Sequence, residues 1–418
     1  CIICDLRSGL RKRVGPELED RKHFFYLNLG HFLDHFFLLI FATAAALALI
    51  HDWGMSYGQL IPYSTAGFIA FGLFSFPSGW LADRWSREGM ICVFFIGIGM
   101  ASVGTSSAQS PLGIAFWLFI LGVFASIYHP VGLALIAKGG QKMGRDIAVN
   151  GVWGNMGVGF AAFVTGLMID YVGWRAAFWL PGLISIGIGV LYFADFKKNI
   201  LVKLRLCSAL VKPEISFMDN SNKQLRRLVI KVSLIILFTT AVSAIIFQST
   251  TFALPKVFDE RLGTISDSAS GIGFIALFVF AVASFAQLVV GQMLDRIGPK
   301  KVFLAVSSLQ LVFFIMFAGQ FGWMALFVAT IFMLGAFGQI PINDYMIGKM
   351  AKSEFRASIY GVRFVISFAV WAVVVPVISL VHQDYGFDIL FYILAACALA
   401  IFFAASMLPK NLPARVPA

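Results

Sequence analysis

The chain has 418 residues, 59% of them hydrophobic and only 13% charged, with 44 Phe and a net charge of +11. Soluble domains average about 25% charged residues. This balance excludes a water-soluble globule and makes lipid the solvent for much of the side-chain surface.

The predicted elements are twelve apolar runs, each near or above the ~20 residues that a spanning helix needs. A polar, basic segment, residues 1–22, comes first and shows no cleavable signal pattern. Its Cys1 and Cys4 form a lone pair with no metal or redox reading, and Cys92, Cys207 and Cys397 read as packing residues. Run one, 24–50, carries Gly30-His31, Asp34 and His35. Run two, 57–82, ends in the cassette Gly79-Trp80-Leu81-Ala82-Asp83-Arg84-Trp85-Ser86-Arg87. Runs three to six cover 88–108, 111–137, 147–170 and 173–194. The fourth holds Tyr128-His129-Pro130, and the fifth holds Asn150-Gly151-Val152-Trp153 and Asn155.

A hydrophilic stretch, 195–227, reads as a linker too short for a domain of its own. Runs seven to twelve follow at 228–252, 269–294, 301–319, 322–348, 357–381 and 386–408. Run eight carries Gln287 and ends in Gly291-Gln292-Met293-Leu294-Asp295-Arg296, run ten holds Gln339 and Asp344, and run eleven holds Arg363. Strands of a barrel would be about 10 residues long and alternating, so helices are expected throughout.

The Gly/Asp/Arg cassette returns 212 residues later (79 to 291). Pro130 returns as Pro341, at 211, and Asn150-Gly151-Val152 as Tyr360-Gly361-Val362, at 210. Six runs separate the copies, so the halves are parallel repeats. The expected layout is an all-α membrane protein with a tail at 1–22, a six-helix bundle at 23–194, the linker at 195–227, a second six-helix bundle at 228–408 and a tail at 409–418.

Basic residues orient it. Of 32 Lys and Arg, 28 fall on the side that holds both termini, three (Arg175, Lys256, Arg261) on the other, and Arg363 inside a run. Both termini are therefore expected in the cytoplasm. The charge is a topology signal, and no nucleic-acid partner is expected.

At 1.5 Å per residue from the nearest cytoplasmic Lys or Arg, His31, His129, Asn155, Gln287 and Gln339 lie roughly 14–15 Å deep and Asp34 roughly 18 Å. The midplane is about 15 Å in. A membrane Asp costs roughly 2.5–3.5 kcal/mol to insert, so Asp34, with His31 and His129, is read as a protonation site. Asn155, Gln287, Gln339, Tyr128, Trp153 and Arg363 are candidate solute-binding groups. Asp344 and Arg363, at similar depth on runs ten and eleven, are an expected ion pair. His31 and His35 have the spacing of a metal pair, but that shared face leaves Asp34 aside, and no metal is expected.

The cassettes and the two hydrophobic halves resemble the major facilitator superfamily over residues 23–408. Tyr128-His129-Pro130, Gly30-His31 and Asp34 resemble its fosmidomycin-resistance-like efflux branch. The resemblance implies a monomeric secondary transporter in a bacterial inner membrane. It also implies an inner gate built from Gly79, Asp83, Arg84, Arg87, Gly291, Asp295 and Arg296. Two elements usual in the superfamily's drug antiporters are absent: an Arg between Trp117 and Ala137, and a Gly-Pro pair in Gly154–Gly159.

The expected function is proton-coupled transport of a small organic solute, with efflux favoured. The alternatives are proton symport that imports an organic anion or other nutrient and, last, transport of a divalent metal. No hydrolase motif and no Walker loop occur, so no enzyme activity, no cofactor and no direct ATP drive are expected. The expected partners are the solute, protons and the bilayer.

Overall fold

A computed structural model describes residues 2–136, 143–204, 223–350 and 356–409. The middle of the expected linker and the tail beyond residue 409 lie outside the described residues.

Among them are eleven helices long and apolar enough to cross a membrane. They are α1 (Arg21–Asp52), α2 (Tyr57–Arg84), α3 (Arg87–Ser106), α4 (Pro111–Ile136), α5 (Val149–Tyr171), α6 (Ala176–Leu201), α7 (Arg227–Arg261), α8 (Ala269–Ile297), α9 (Pro299–Phe317), α10 (Gly322–Lys349) and α11 (Val365–Ser406). Helix is the form these runs must take, because hydrocarbon offers no partner to an open backbone N–H or C=O. Helix α11 is 42 residues long and joins runs eleven and twelve. It is broken at Gly386, whose φ of 74° is open to glycine without a Cβ penalty. Helix also extends into the expected linker, through Leu204 on one side and from Lys223 on the other.

Local signals set the helix starts. Ser86, Ser110 and Ser268 accept the N–H of Gly89, Gly113 and Gly271, capping α3, α4 and α8. At the first cassette Ser86, one residue before the helix, is the cap, and Asp83 is held by Arg87.

The packing repeats. Helices α1 and α5, α3 and α6, and α2 and α4 pair in the first half of the chain. In the second half α7 pairs with the first arm of α11, α9 with its second arm, and α8 with α10. The two prolines that mark the sequence repeat do the same local work. Pro130 lacks an N–H and crowds the Ser126 carbonyl, and α4 is interrupted at 126–127. Pro341 crowds the Phe337 carbonyl, and α10 is interrupted at residue 339.

Two seams join the groups. On one, α5 lies against α8 at backbone distance: a Cβ on Gly166 would sit 2.2 Å from the Ala269 carbonyl oxygen, and one on Gly273 would sit 2.5 Å from that of Ala162. Asp170 at the end of α5 accepts the N–H of Ser270 at 2.7 Å and of Ala269 at 3.3 Å, adding a negative charge at the N-terminus of α8. On the other, Phe68 of α2 stacks on Trp371 of α11 at 4.4 Å, and Phe71 meets Phe368 edge-on at 4.0 Å. Further along, the Ser379 hydroxyl donates to the Gly58 carbonyl, and Tyr57 packs edge-on to His382.

Large apolar side chains cover the outside: Phe76, Leu112 and Trp323 are 76%, 75% and 72% exposed. Trp174 and Tyr57, by contrast, are both 3% exposed. Trp174 donates to Asp52 and Tyr57 lies under His382, so packing claims them.

The α5–α8 seam gives a paired expectation. Gly273→Ala should destabilise the protein by roughly 1–3 kcal/mol, the usual cost of overpacking. Gly187→Ala, with nothing within 4 Å of its Cβ, should not destabilise. Thermal unfolding in detergent compares the two, and equal midpoints would contradict the seam.

Candidate functional site

Asn28, His31, Asp34 and His35 recur on α1 at three- and four-residue steps, so they share one side of the helix. All but the half-buried His35 are buried, and Asp34 is 0% exposed. That side meets the interrupted stretch of α4, which presents Tyr128 and His129, and the start of α5, which presents Asn150. Glycines allow the approach. A Cβ on Gly154 would lie 2.6 Å from His31 Nε2, and one on Gly30 would lie 2.8 Å from the Tyr128 ring.

His31 is the hub. Its Nδ1 lies 2.8 Å from the Asn150 carbonyl oxygen and its Nε2 3.2 Å from His35 Nε2. Its ring stacks on Tyr128 at 5.1 Å and stands edge-on to His129 at 5.2 Å. His129 Nε2 is 3.3 Å from Asp34 Oδ2, an ion-pair distance without hydrogen-bond alignment. The expected trio of Asp34, His31 and His129 is thus one cluster. His35 joins it, because His129 comes from a second helix into the angle between His31 and Asp34, with its ring 5.5 Å from that of His35.

Tyr128 serves the scaffold. Its hydroxyl donates to the Leu27 carbonyl at 2.6 Å and accepts from Asn150 Nδ2 at 2.9 Å. Asn150 also donates to Asn28 Oδ1 at 3.0 Å. Asn150 and Asn28 were not candidate site residues. The sequence signal available was Asn150's place in a repeat segment, and polar amides inside apolar runs.

The second half carries a different set. Asp344 of α10 pairs with Arg363, as expected from their depth. Gln310 of α9, absent from the candidates, donates to Gln339 at 2.8 Å, and Thr239 of α7 donates to Asn343 at 2.9 Å. The aromatic pair Phe71 and Phe368 brings the two sets together, since Phe368 also lies 5.3 Å from the His129 ring. Asn155 is buried, and its side-chain nitrogen has no hydrogen-bond partner among the described residues. Half-buried Gln287 has a similarly unpartnered nitrogen. Trp153 is directed elsewhere: its ring packs edge-on to Phe25 and Phe32 on the outer flank of α1, away from the histidines.

The two cassettes differ in detail. Gly79 lies close to Pro130 of α4, Asp83 takes Arg87 through two contacts of 2.7 and 3.0 Å, and Arg84 lies over the Trp80 ring at 3.9 Å. Gly291 has open space where a Cβ would stand, and Asp295 and Arg296 are exposed.

Comparison with known proteins adds a family and a fold. Residues 27–264 and 236–417 match the family model of the Major Facilitator Superfamily. A probable hexose phosphate transport protein of Chlamydia pneumoniae is 26% identical over 173 residues, 41% of this chain and 38% of that protein. The alignment therefore spans about two fifths of that relative's length. The 4-hydroxybenzoate transporter of Pseudomonas aeruginosa is 24% identical over 324 residues, 69% of each chain. Among solved structures, a bacterial homolog to the human lysosomal transporter Spinster, inward-facing and unoccupied, superposes with a TM-score of 0.68 over 94% of each chain. Its 13% identity speaks for the fold alone.

Asn150→Ala should remove the amide that ties Leu27, Asn28 and Tyr128, at a cost of roughly 1–3 kcal/mol for buried groups left unpaired. A lowered unfolding midpoint in detergent is the expected readout. A variant as stable as the parent would show that this knot is not structural.

Proposed function

The chain belongs to the Major Facilitator Superfamily, and we propose that it is a proton-coupled secondary transporter of a small organic solute. It is a multi-pass membrane protein and a transporter, not an enzyme. The observation that carries the proton reading is Asp34, fully buried and 3.3 Å from His129 Nε2.

An ionised carboxylate without water is costly unless something compensates it. Asp34 can meet that cost by taking a proton or by holding a charged His129. The two solutions differ in how strongly α1 holds α4. They also differ across the seam, because His129 lies against Phe368 of α11, the helix next to Arg363. Loading and unloading of one proton thus has a route to the half that carries the ion pair.

In this reading two six-helix units, 23–194 and 228–408, rock about the polar layer, and the arms of α11 are two crossings of twelve. The basic side, with both termini, faces the cytoplasm of a bacterial cell, and the monomer is the working unit. The seams through Phe68–Trp371, Tyr57–His382 and Asp170–Ser270 support a state closed at the end opposite the cassettes. The cassettes would then close the other end: Gly79, Asp83, Arg84 and Arg87 against Gly291, Asp295 and Arg296.

Efflux is the first reading of direction, on the resemblance of Tyr128-His129-Pro130 to the efflux branch. A second reading is uptake of an organic anion by proton symport. It is favoured by the Asp344–Arg363 pair, since an anion can take Arg363 from Asp344, and by relatives named for hexose phosphate and 4-hydroxybenzoate. Gln287, Gln339 and Asn155 are the candidate polar contacts for either solute.

Inside-out proteoliposomes with a lumenal pH dye test this. Antiport should move protons out of the lumen as solute is added outside, and symport should move them in. Asp34→Asn should abolish the proton signal while leaving protein in the membrane, and full proton-driven flux by that variant would sink its role. Arg363→Gln should raise KM for an organic anion at least tenfold, whereas an unchanged KM would remove the anion reading. Asp83→Asn should slow turnover several-fold at unchanged KM, and wild-type turnover would separate the cassette from gating.

A further inference from the structure

His31, His35 and His129 offer nitrogen ligand atoms that all lie within 4.8 Å of one another. We propose that this trio binds one divalent transition-metal ion, with Asp34 as its counter-charge.

The His31 tautomer is set by its partner. A carbonyl oxygen only accepts, so Nδ1, 2.8 Å from the Asn150 oxygen, carries the hydrogen and Nε2 keeps its lone pair. A ring N–H donated to a backbone carbonyl is the usual outer support of a metal-bound histidine. The Nε2 lone pair is directed toward His35 Nε2 at 3.2 Å. With metal–nitrogen bonds of 2.0–2.1 Å, two ligands on one tetrahedral ion stand about 3.3 Å apart. Positions i and i+4 on a helix are also the spacing by which two histidines share an ion. The third donor comes from the interrupted part of α4.

A second observation comes from the acid beside the trio. Both Asp34 oxygens are buried without a hydrogen-bond partner among the described residues, although Oδ2 is 3.3 Å from His129 Nε2. Such a carboxylate calls for positive charge, which a dication on the trio supplies. Three imidazoles select zinc, cobalt, nickel or copper over magnesium and calcium, which prefer oxygen. The competing reading is a hydrogen-bonded His31–His35 pair with no affinity for metal.

The test is a Co2+ titration of tag-free, full-length protein in detergent. The wild type should take one equivalent and develop the visible absorption of four-coordinate Co2+, which Zn2+ should bleach and Mg2+ should not. His31→Gln, His35→Gln and His129→Gln should each lose the band, and Asp34→Asn should weaken binding roughly tenfold, as outer partners do. A wild type without a saturable band overturns the proposal, and that result stands whether or not the variants fold. So does a band that survives in the triple variant, or that Mg2+ displaces as well as Zn2+. Proton flux does not enter this measurement, so loss of the transport reading would leave it intact.

Discussion

The structure depends on a buried carboxylate in a helix that has no water to give it. Asp34 has no exposed surface, and its ion-pair partner, His129, sits on another helix. The cost of that burial makes the approach of α4 to α1 a requirement. The approach in turn needs Gly30, because any larger residue would meet the Tyr128 ring, and the neighbouring approach of α5 to α1 needs Gly154, which lies against the His31 ring. It also needs the interruption at 126–127, which Pro130 enforces. Tyr128 and Asn150 then close the arrangement by taking up the Leu27 carbonyl.

The two halves share a packing scheme but not a chemistry. Where the first half sets histidines and an acid, the second sets amides and the Asp344–Arg363 pair. A titratable cluster on one side and a fixed cation on the other can divide the work between a proton and an anion. Phe71 and Phe368 are the apolar bridge between the sets. Dispersion at a 4.0 Å ring separation is sensitive to small displacements, so a shift of α4 would be felt at α11.

The seams between the halves use two different physical means. Helices α5 and α8 touch through glycine and carbonyl, the small-residue packing that serves where lipid leaves no hydrophobic drive between helices. Helices α2 and α11 touch through stacked aromatics and one hydroxyl. Backbone contact resists sliding, and flat rings permit it, so the two seams need not open together.

Much of this was legible in the residues alone. Run lengths, the cassette repeat, Pro130 with Pro341, and the bias of Lys and Arg are one-dimensional properties that hydrocarbon thickness turns into helices and sides. Depth along a helix is also one-dimensional, and it set Asp34 near the level of His31 and His129, and Asp344 near that of Arg363. Azimuth is not: which side of α1, α4 or α5 faces a neighbour depends on how helices pack. That is why Tyr128 became a strut, Trp153 turned to Phe25 and Phe32, and Trp174 and Tyr57 are buried. It is also why the His31–His35 pair had no third nitrogen in the sequence, since only the crossing of α4 over α1 brings His129 beside it. The residues by themselves determined a helical membrane protein with an internal repeat and polar groups inside its apolar runs. The tertiary structure decided which polar groups meet, because that is set by helix rotation and close approach, for which a sequence carries no coordinate.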